Sequence, residues 1–188
     1  MRILYINAAV RAQSRTDMLA RYVLEKLGGE VTEVRPNDLG LPATDENFLK
    51  MRDKASAEHS FDYRVFDAAK QFAQADAVVI AAPFWDLSFP AALKLYFEHI
   101  NVLGLTFEYS ESGMPVSLCK AKKLFYVTTA GGTIFNEQFG FGYIDSLAEL
   151  FYGIEERKLF KAEGLDIYGA DVQAILDGAK AEIDRYFK

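Results

Sequence analysis

Residues 76–109 read DAVVIAAPFWDLSFPAALKLYFEHINVLGLTFEY, and this stretch decides the fold. It opens on a continuous apolar run, Ala77 to Ala82, without the alternation of a half-exposed strand. Such a run fits a parallel strand covered by helices on both faces. Pro83 stops it, and Phe84 and Trp85 follow where a strand hands over to a loop. A helical pattern then starts near Pro90, with Leu93, Phe97 and Ile100 on one face. Open α/β sheets bind ligands at the carboxyl ends of their strands, where strand order reverses. Two aromatics at that point predict a flat ring as ligand.

Working outward, the same alternation of strand and helix recurs. Ile3 to Ile6 read as a first strand, followed by a loop from Asn7 to Gln13. Ser14 or Thr16 caps a helix to about Leu27, with Met18, Leu19, Tyr22, Val23 and Leu27 as its apolar face. Gly28-Gly29 ends it before a second strand, Val31 to Val34. Residues 36–59 have weak periodicity and two prolines, so they read as a long excursion with short helical pieces. Phe61 to Gln74 read as a helix, and Thr106 to Tyr109 as a short extension before the turn Glu111-Ser112-Gly113. Lys123 to Thr129 and Arg157 to Ala162 supply strands four and five, with a helix between them around Asp145 to Tyr152. Asp171 to Phe187 closes the pattern as a helix with Ile175, Ala179, Ile183 and Phe187 on one stripe. Right-handed crossovers turn this alternation into an α/β fold. The expected architecture is a doubly wound five-stranded parallel sheet of order 2-1-3-4-5, helices on both faces, in one domain over residues 1–188.

Composition narrows the function classes. At 188 residues and 51% hydrophobic, the chain can bury a full core, and 26% charged residues keep it soluble. A net charge of −6 argues against nucleic acid as partner, because phosphate neutralisation needs clustered Lys and Arg. Cys119 is the only cysteine, which rules out an intrachain disulfide and a cysteine-ligated iron–sulfur cluster within one chain. The apolar start is too short for a signal peptide, and the stretch Val78 to Leu105 is broken by Asp86, Pro90, Lys94, Glu98 and His99. No membrane association and a cytoplasmic location are expected. GxxxxGK[ST], GxSxG and HExxH are all absent, and His59 and His99 alone offer little to a metal site or a triad. His99 is expected to face a groove or a subunit contact, and Cys119 to be inert.

In the order 2-1-3-4-5, the loops after strands 1, 3 and 4 lie side by side. The first holds Ser14-Arg15-Thr16 at a helix N-terminus, where free N–H groups, hydroxyls and a cation suit a phosphate. Simple helix capping would use the same residues. The second is Pro83-Phe84-Trp85-Asp86-Leu87, whose aromatics either flank an isoalloxazine or are ordinary core. The third is Thr128-Thr129-Ala130-Gly131-Gly132, where glycines either admit the reactive edge of a flavin or merely make a turn. Three such loops on adjacent strands point to one flavin mononucleotide (FMN) site rather than three coincidences.

These motifs carry a resemblance. The chain resembles the FMN-dependent NADH-azoreductases and related NAD(P)H–quinone reductases of flavodoxin-like fold over its whole length. The likeness is densest in AAPFWDLSFPAALKLYFEHINVLGLTFEYSESG, with SRT similar to the family's phosphate loop and TTAGG to its second flavin loop. The resemblance implies FMN held by Ser14, Arg15 and Thr16 at the phosphate, by Pro83, Phe84, Trp85, Asp86 and Leu87 around the ring, and by Thr129, Ala130, Gly131 and Gly132 at its reactive edge. It implies a homodimer whose site is completed at the subunit interface. It also implies two-step catalysis, in which NADH or NADPH passes hydride to flavin N5 and a quinone or azo acceptor then takes both electrons. No protein residue is required as catalytic acid or base, since the cofactor carries the chemistry.

The chain departs from the family pattern at Ala8-Ala9, where serine is frequent, at Asp86, where azoreductases often have asparagine, and at Ala130, where a polar residue is common. Tyr109, Phe135, Asn136 and Tyr143 are further pocket candidates. A flavodoxin-type one-electron carrier and an FMN reductase are the alternatives.

Overall fold

The computed structural model describes residues 1–188. In chain order its elements are β1 (Arg2–Asn7), α1 (Arg15–Leu27), β2 (Glu30–Val34), α2 (Glu46–Glu58), α3 (Asp67–Gln74), β3 (Ala77–Ala81) and α4 (Ala91–Ile100). They continue with β4 (Phe107–Tyr109), β5 (Pro115–Ser117), β6 (Lys123–Thr129), α5 (Tyr143–Leu150), β7 (Glu156–Ala162) and α6 (Val172–Tyr186). Five strands form one sheet in the order β2-β1-β3-β6-β7, every neighbour pair parallel. With the hairpin β4–β5 set aside, this is the expected 2-1-3-4-5 order.

Side chains alternate strictly between the two faces of this sheet. Ile3, Tyr5, Ala77, Val79, Ala81, Phe125, Val127 and Phe160 pack with Leu19, Ala20, Val23 and Leu24 of α1 and with Leu176, Ala179 and Ile183 of α6. Leu4, Ile6, Val78, Ile80, Leu124 and Tyr126 pack on the other face against α3, α4 and α5. Because β1, β3 and β6 are covered on both sides, each reads as an unbroken apolar run. Tyr22 and Lys26 on α1 both reach Asp184 on α6, the hydroxyl at 2.8 Å and the ammonium at 2.5 Å. Tyr22 and Asp184 thereby seam the first helix to the last.

Three segments differ from the sequence reading. The excursion at residues 36–59 contains a full helix, α2, in place of short pieces; its N-terminus is capped by Asp45, which accepts from the Phe48 N–H at 2.7 Å. Only Phe48 and Ala55 of α2 are buried, so the helix shows no apolar stripe. Thr106 to Tyr109 is extended and turns at Glu111–Gly113 as expected, but it also pairs as one arm of an antiparallel hairpin, Phe107 opposite Ser117 and Tyr109 opposite Pro115. His99 faces neither groove nor surface: it is fully buried, its Nε2 lies 2.8 Å from the Pro42 carbonyl, and its ring packs on Phe48. It anchors the excursion to α4. No helix is long and apolar enough to cross a membrane.

Candidate functional site

Backbone pairing continues past the strand ends and lays the expected loops edge to edge. The Ala8 N–H donates to the Ala81 carbonyl at 2.8 Å, Ala82 to Val127 at 3.0 Å, Phe84 to Thr129 at 3.0 Å and Ala130 to Ala162 at 2.9 Å. Between these loops runs a cleft of about 380 Å³ at the carboxyl edge of the sheet. Nine of the residues expected from sequence line it: Ser14, Arg15 and Thr16, then Pro83, Phe84 and Trp85, then Thr129, Ala130 and Gly131. Trp85 is 38% exposed and Phe84 half-buried, so these aromatics form the wall of a cleft rather than core.

One end of the cleft gathers hydrogen-bond donors and positive charge. Ser14 caps α1, its Oγ accepting from the Asp17 N–H at 3.3 Å, which leaves the hydroxyl proton free to donate. Thr16 and Thr129 face each other across the loops with their hydroxyl oxygens 2.6 Å apart. One proton is shared in that bond, so the pair keeps a second proton to offer. Arg11 and Arg15 supply positive charge; Arg15 is paired with Asp166 at 3.0 Å. The amides of Arg15 and Thr16 at the start of α1 have no acceptor within the chain. Such free donors at a helix N-terminus favour phosphate.

The first loop owes its shape to a polar network beneath it. Asn7, fully buried at the end of β1, accepts from the Ala9 N–H through Oδ1 at 3.1 Å. Its Nδ2 donates to Asp17 at 3.0 Å and to Glu33 at 2.9 Å. Arg35 donates to the Ala9 carbonyl at 3.0 Å and pairs with Glu33 at 3.3 Å. Burial, the largest single influence, pushes the Glu33 carboxyl up, but hydrogen bonds from Asn7 and Arg21 and the charges of Arg21 and Arg35 bring it below its ordinary value. Buried Ala8 and Ala9 leave no hydroxyl at the positions where the resemblance would place serine.

The remaining expected residues lie elsewhere. Asp86 and Leu87 form the tip of a two-residue turn in which the Trp85 and Ser88 backbones exchange hydrogen bonds at 2.9 and 2.8 Å. Both are left-handed, φ +50° and +67°, a conformation that favours glycine or asparagine. The turn carries them away from the cleft. With Phe89, Lys94, Phe139 and Tyr143 they line a neighbouring hollow of about 540 Å³. The hydroxyl of Ser88 donates to the Phe139 carbonyl at 2.5 Å, tying the turn to the π-helical segment Gln138–Gly142. Gly132 lies outside the cleft lining, while its carbonyl accepts from the Gly164 N–H at 3.0 Å. Of the other candidates, Tyr143 lines the hollow; Tyr109, Phe135 and Asn136 line neither cavity.

Five cleft residues were not foreseen: Val10, Arg11, Gln13, Leu165 and Asp166. The first three lie in the loop between Asn7 and Ser14, a reachable extension of the phosphate segment. Leu165 and Asp166 follow β7 and enter only because the fifth strand neighbours the fourth. Gly131 also takes on a different meaning. A Cβ there would collide with the Asp166 carboxylate, so the glycine makes room for that side chain. Behind Phe84, the buried Tyr126 and Thr128 hydroxyls end without a partner beside a void of about 10 Å³, close to the volume one water needs. Burial pushes the Tyr126 phenol well above its ordinary value.

Comparison with known proteins gives concordant results. The sequence model of the family described as flavodoxin-like fold matches residues 1–187. The chain is 36% identical to FMN-dependent NADH:quinone oxidoreductase 2 of Clostridium acetobutylicum, over 93% of this chain and 92% of that one. It is 32% identical to the FMN-dependent NADH:quinone oxidoreductase of Coprothermobacter proteolyticus, over 100% of this chain and 98% of the relative. Its fold superposes on an azoreductase from Bacillus anthracis with a TM-score of 0.83 at 23% identity, covering 99% of this chain and 98% of that one.

Proposed function

The chain belongs to the flavodoxin-like-fold family, and from that premise we propose that it is an FMN-dependent NADH:quinone oxidoreductase, taking quinones or azo compounds as acceptors. The observation that carries the reading is one cleft with an anion-binding end and an aromatic end, built by loops from four strands. Both ends fit FMN chemically. Arg11, Arg15, the Ser14 hydroxyl, the Thr16–Thr129 pair and the free amides at the start of α1 would hold the phosphate. Pro83, Phe84, Trp85, Ala130 and Gly131 would border the ring. When bound, FMN supplies the two-electron hydride chemistry between nicotinamide and acceptor.

The residues around it bind, orient and exclude water. The Thr16–Thr129 bond fixes the first loop against the third, so the two ends of the cleft keep their spacing. The hydrogen bond from the Phe84 N–H to Thr129 does the same for the aromatic loop. Asp86 and Leu87 face the apolar hollow instead, beside Phe139 at 55% exposure. That exposed apolar surface next to the cleft supports a homodimer in which the partner completes the site. On this reading residues 1–188 act as one FMN-binding domain, and the setting is cytoplasmic, where a lone thiol stays reduced.

The test is optical. The purified protein should be yellow, bleach on anaerobic addition of NADH without an accumulating EPR signal, and turn over a benzoquinone acceptor. A colourless chain that refuses added FMN, or an acceptor rate no faster than free FMN gives, removes the assignment. A stoichiometric EPR signal at half-reduction favours the one-electron carrier, and flavin lost on desalting favours the FMN reductase.

A further inference from the structure

We propose that Asp166 sets how tightly the cleft grips the phosphate of its cofactor, by holding Arg15 in a competing ion pair. This inference rests on the FMN reading given above. Asp166 belongs to the segment after β7 that runs alongside the Ala130–Gly132 loop. The Gly164 N–H donates to the Gly132 carbonyl at 3.0 Å, Leu165 to Ala130 at 3.2 Å and Asp166 to Gly131 at 2.9 Å. These bonds hold the Asp166 backbone at the rim of the cleft. Its carboxylate lies in the space left by the missing side chain of Gly131, where a Cβ would collide with Oδ2. From there Oδ1 reaches Arg15 Nη1 at 3.0 Å, joining segments 151 positions apart.

The consequence is electrostatic. Arg15 is placed beside the α1 N-terminus, but its charge is already matched by a carboxylate on the same cleft wall. A phosphate monoester carries close to two negative charges at neutral pH. It must share Arg15 with Asp166 and feel that carboxylate's repulsion. Arg11, the other cation of the cleft, is in no ion pair and is free of this competition. Side chains 42% and 69% exposed place the Arg15–Asp166 pair largely in water, so the effect is several-fold rather than a hundredfold. The pair also lies outside both core clusters, so losing the charge leaves the fold intact.

The experiment compares FMN with riboflavin, which lacks the phosphate, by fluorescence quenching on the full chain stripped of flavin. Asp166→Asn should tighten FMN by about threefold to fivefold at low salt and leave riboflavin unchanged. The gain should shrink as salt rises and be smaller in an Arg15→Gln background, where only relief of the direct repulsion remains. Unchanged or weaker FMN binding by Asp166→Asn overturns the proposal, the weaker result showing that Asp166 orients Arg15 rather than competing for it. An equal gain for riboflavin also overturns it, since the effect would then lie at the ring. If the unaltered chain takes up neither flavin, the FMN reading itself has failed and this inference falls with it.

Discussion

Thr16 Oγ1 and Thr129 Oγ1 lie 2.6 Å apart, a buried hydroxyl pair that joins the start of the first helix to the end of the fourth sheet strand. Each is the other's only side-chain partner in the chain. Removing one therefore strands the other. Thr129→Val is expected to lower stability by about 1–2 kcal/mol, the cost of an unsatisfied buried hydroxyl. The double variant Thr16→Val/Thr129→Val should be less damaging than the sum of the single changes. Urea denaturation of the four proteins measures the coupling, and strict additivity would mean the bond contributes nothing.

The Asp86-Leu87 turn stores strain beside the cleft. Leucine at φ +67° costs about 1–2 kcal/mol relative to glycine, while glycine in the unfolded chain recovers part of that through entropy. Leu87→Gly should consequently stabilise the protein by about 0.5–1 kcal/mol, seen as a rise in melting temperature of about 1–4 °C. A fall would show that the Leu87 side chain holds more apolar surface than the strain it introduces.

Acid should loosen the first loop before the core. The Glu33 carboxyl titrates below its ordinary 4.5, so its hydrogen bonds with Asn7 and Arg21 contribute fully above that value. That contribution is lost as pH falls through 4.5 toward the lower folded-state value. Glu33→Gln should flatten the decline in melting temperature between neutral pH and about pH 3.5. Parallel curves for the two proteins would place the acid sensitivity elsewhere.

Cys119 should be silent toward thiol reagents. Burial pushes its thiol up to about 12, the hydrogen bond with Ser117 offsetting this only partly. At about pH 8 the native protein should react with a disulfide reagent orders of magnitude more slowly than the urea-unfolded chain. Equal rates would mean that the segment before β6 opens readily.

Much of this was legible in the sequence. The five sheet strands and their order followed from buried apolar runs separated by helical patterns, since strands covered on both faces cannot hide their composition. The three expected loops could be named because each follows a buried strand and carries residues with a ligand-facing use: Ser14 to Thr16 as a helix start, Pro83 to Trp85 as aromatics past a strand end, and Thr129 to Gly131 as a glycine turn. The misses have separate physical reasons. Helix α2 buries only Phe48 and Ala55, so it carries no stripe to read. Asp86 and Leu87 were expected at the ring, yet positive φ at two consecutive positions turns their side chains into the adjacent hollow. Asp166 left no local trace at all. An exposed carboxylate in a loop becomes significant only when the fold brings Gly131 beneath it and Arg15 across from it.

The seam between α1 and α6 also imposes a timetable on the nascent chain. Residues 15–27 emerge from the ribosome early, but the apolar surface they share with Phe125, Val127 and Phe160 lacks its second cover until residues 172–187 have been translated. The β6–β7 part of that side of the sheet thus stays incompletely covered until the last helix is made. That interval is when association with chaperones, or with a neighbouring unfinished copy, would have its greatest opportunity.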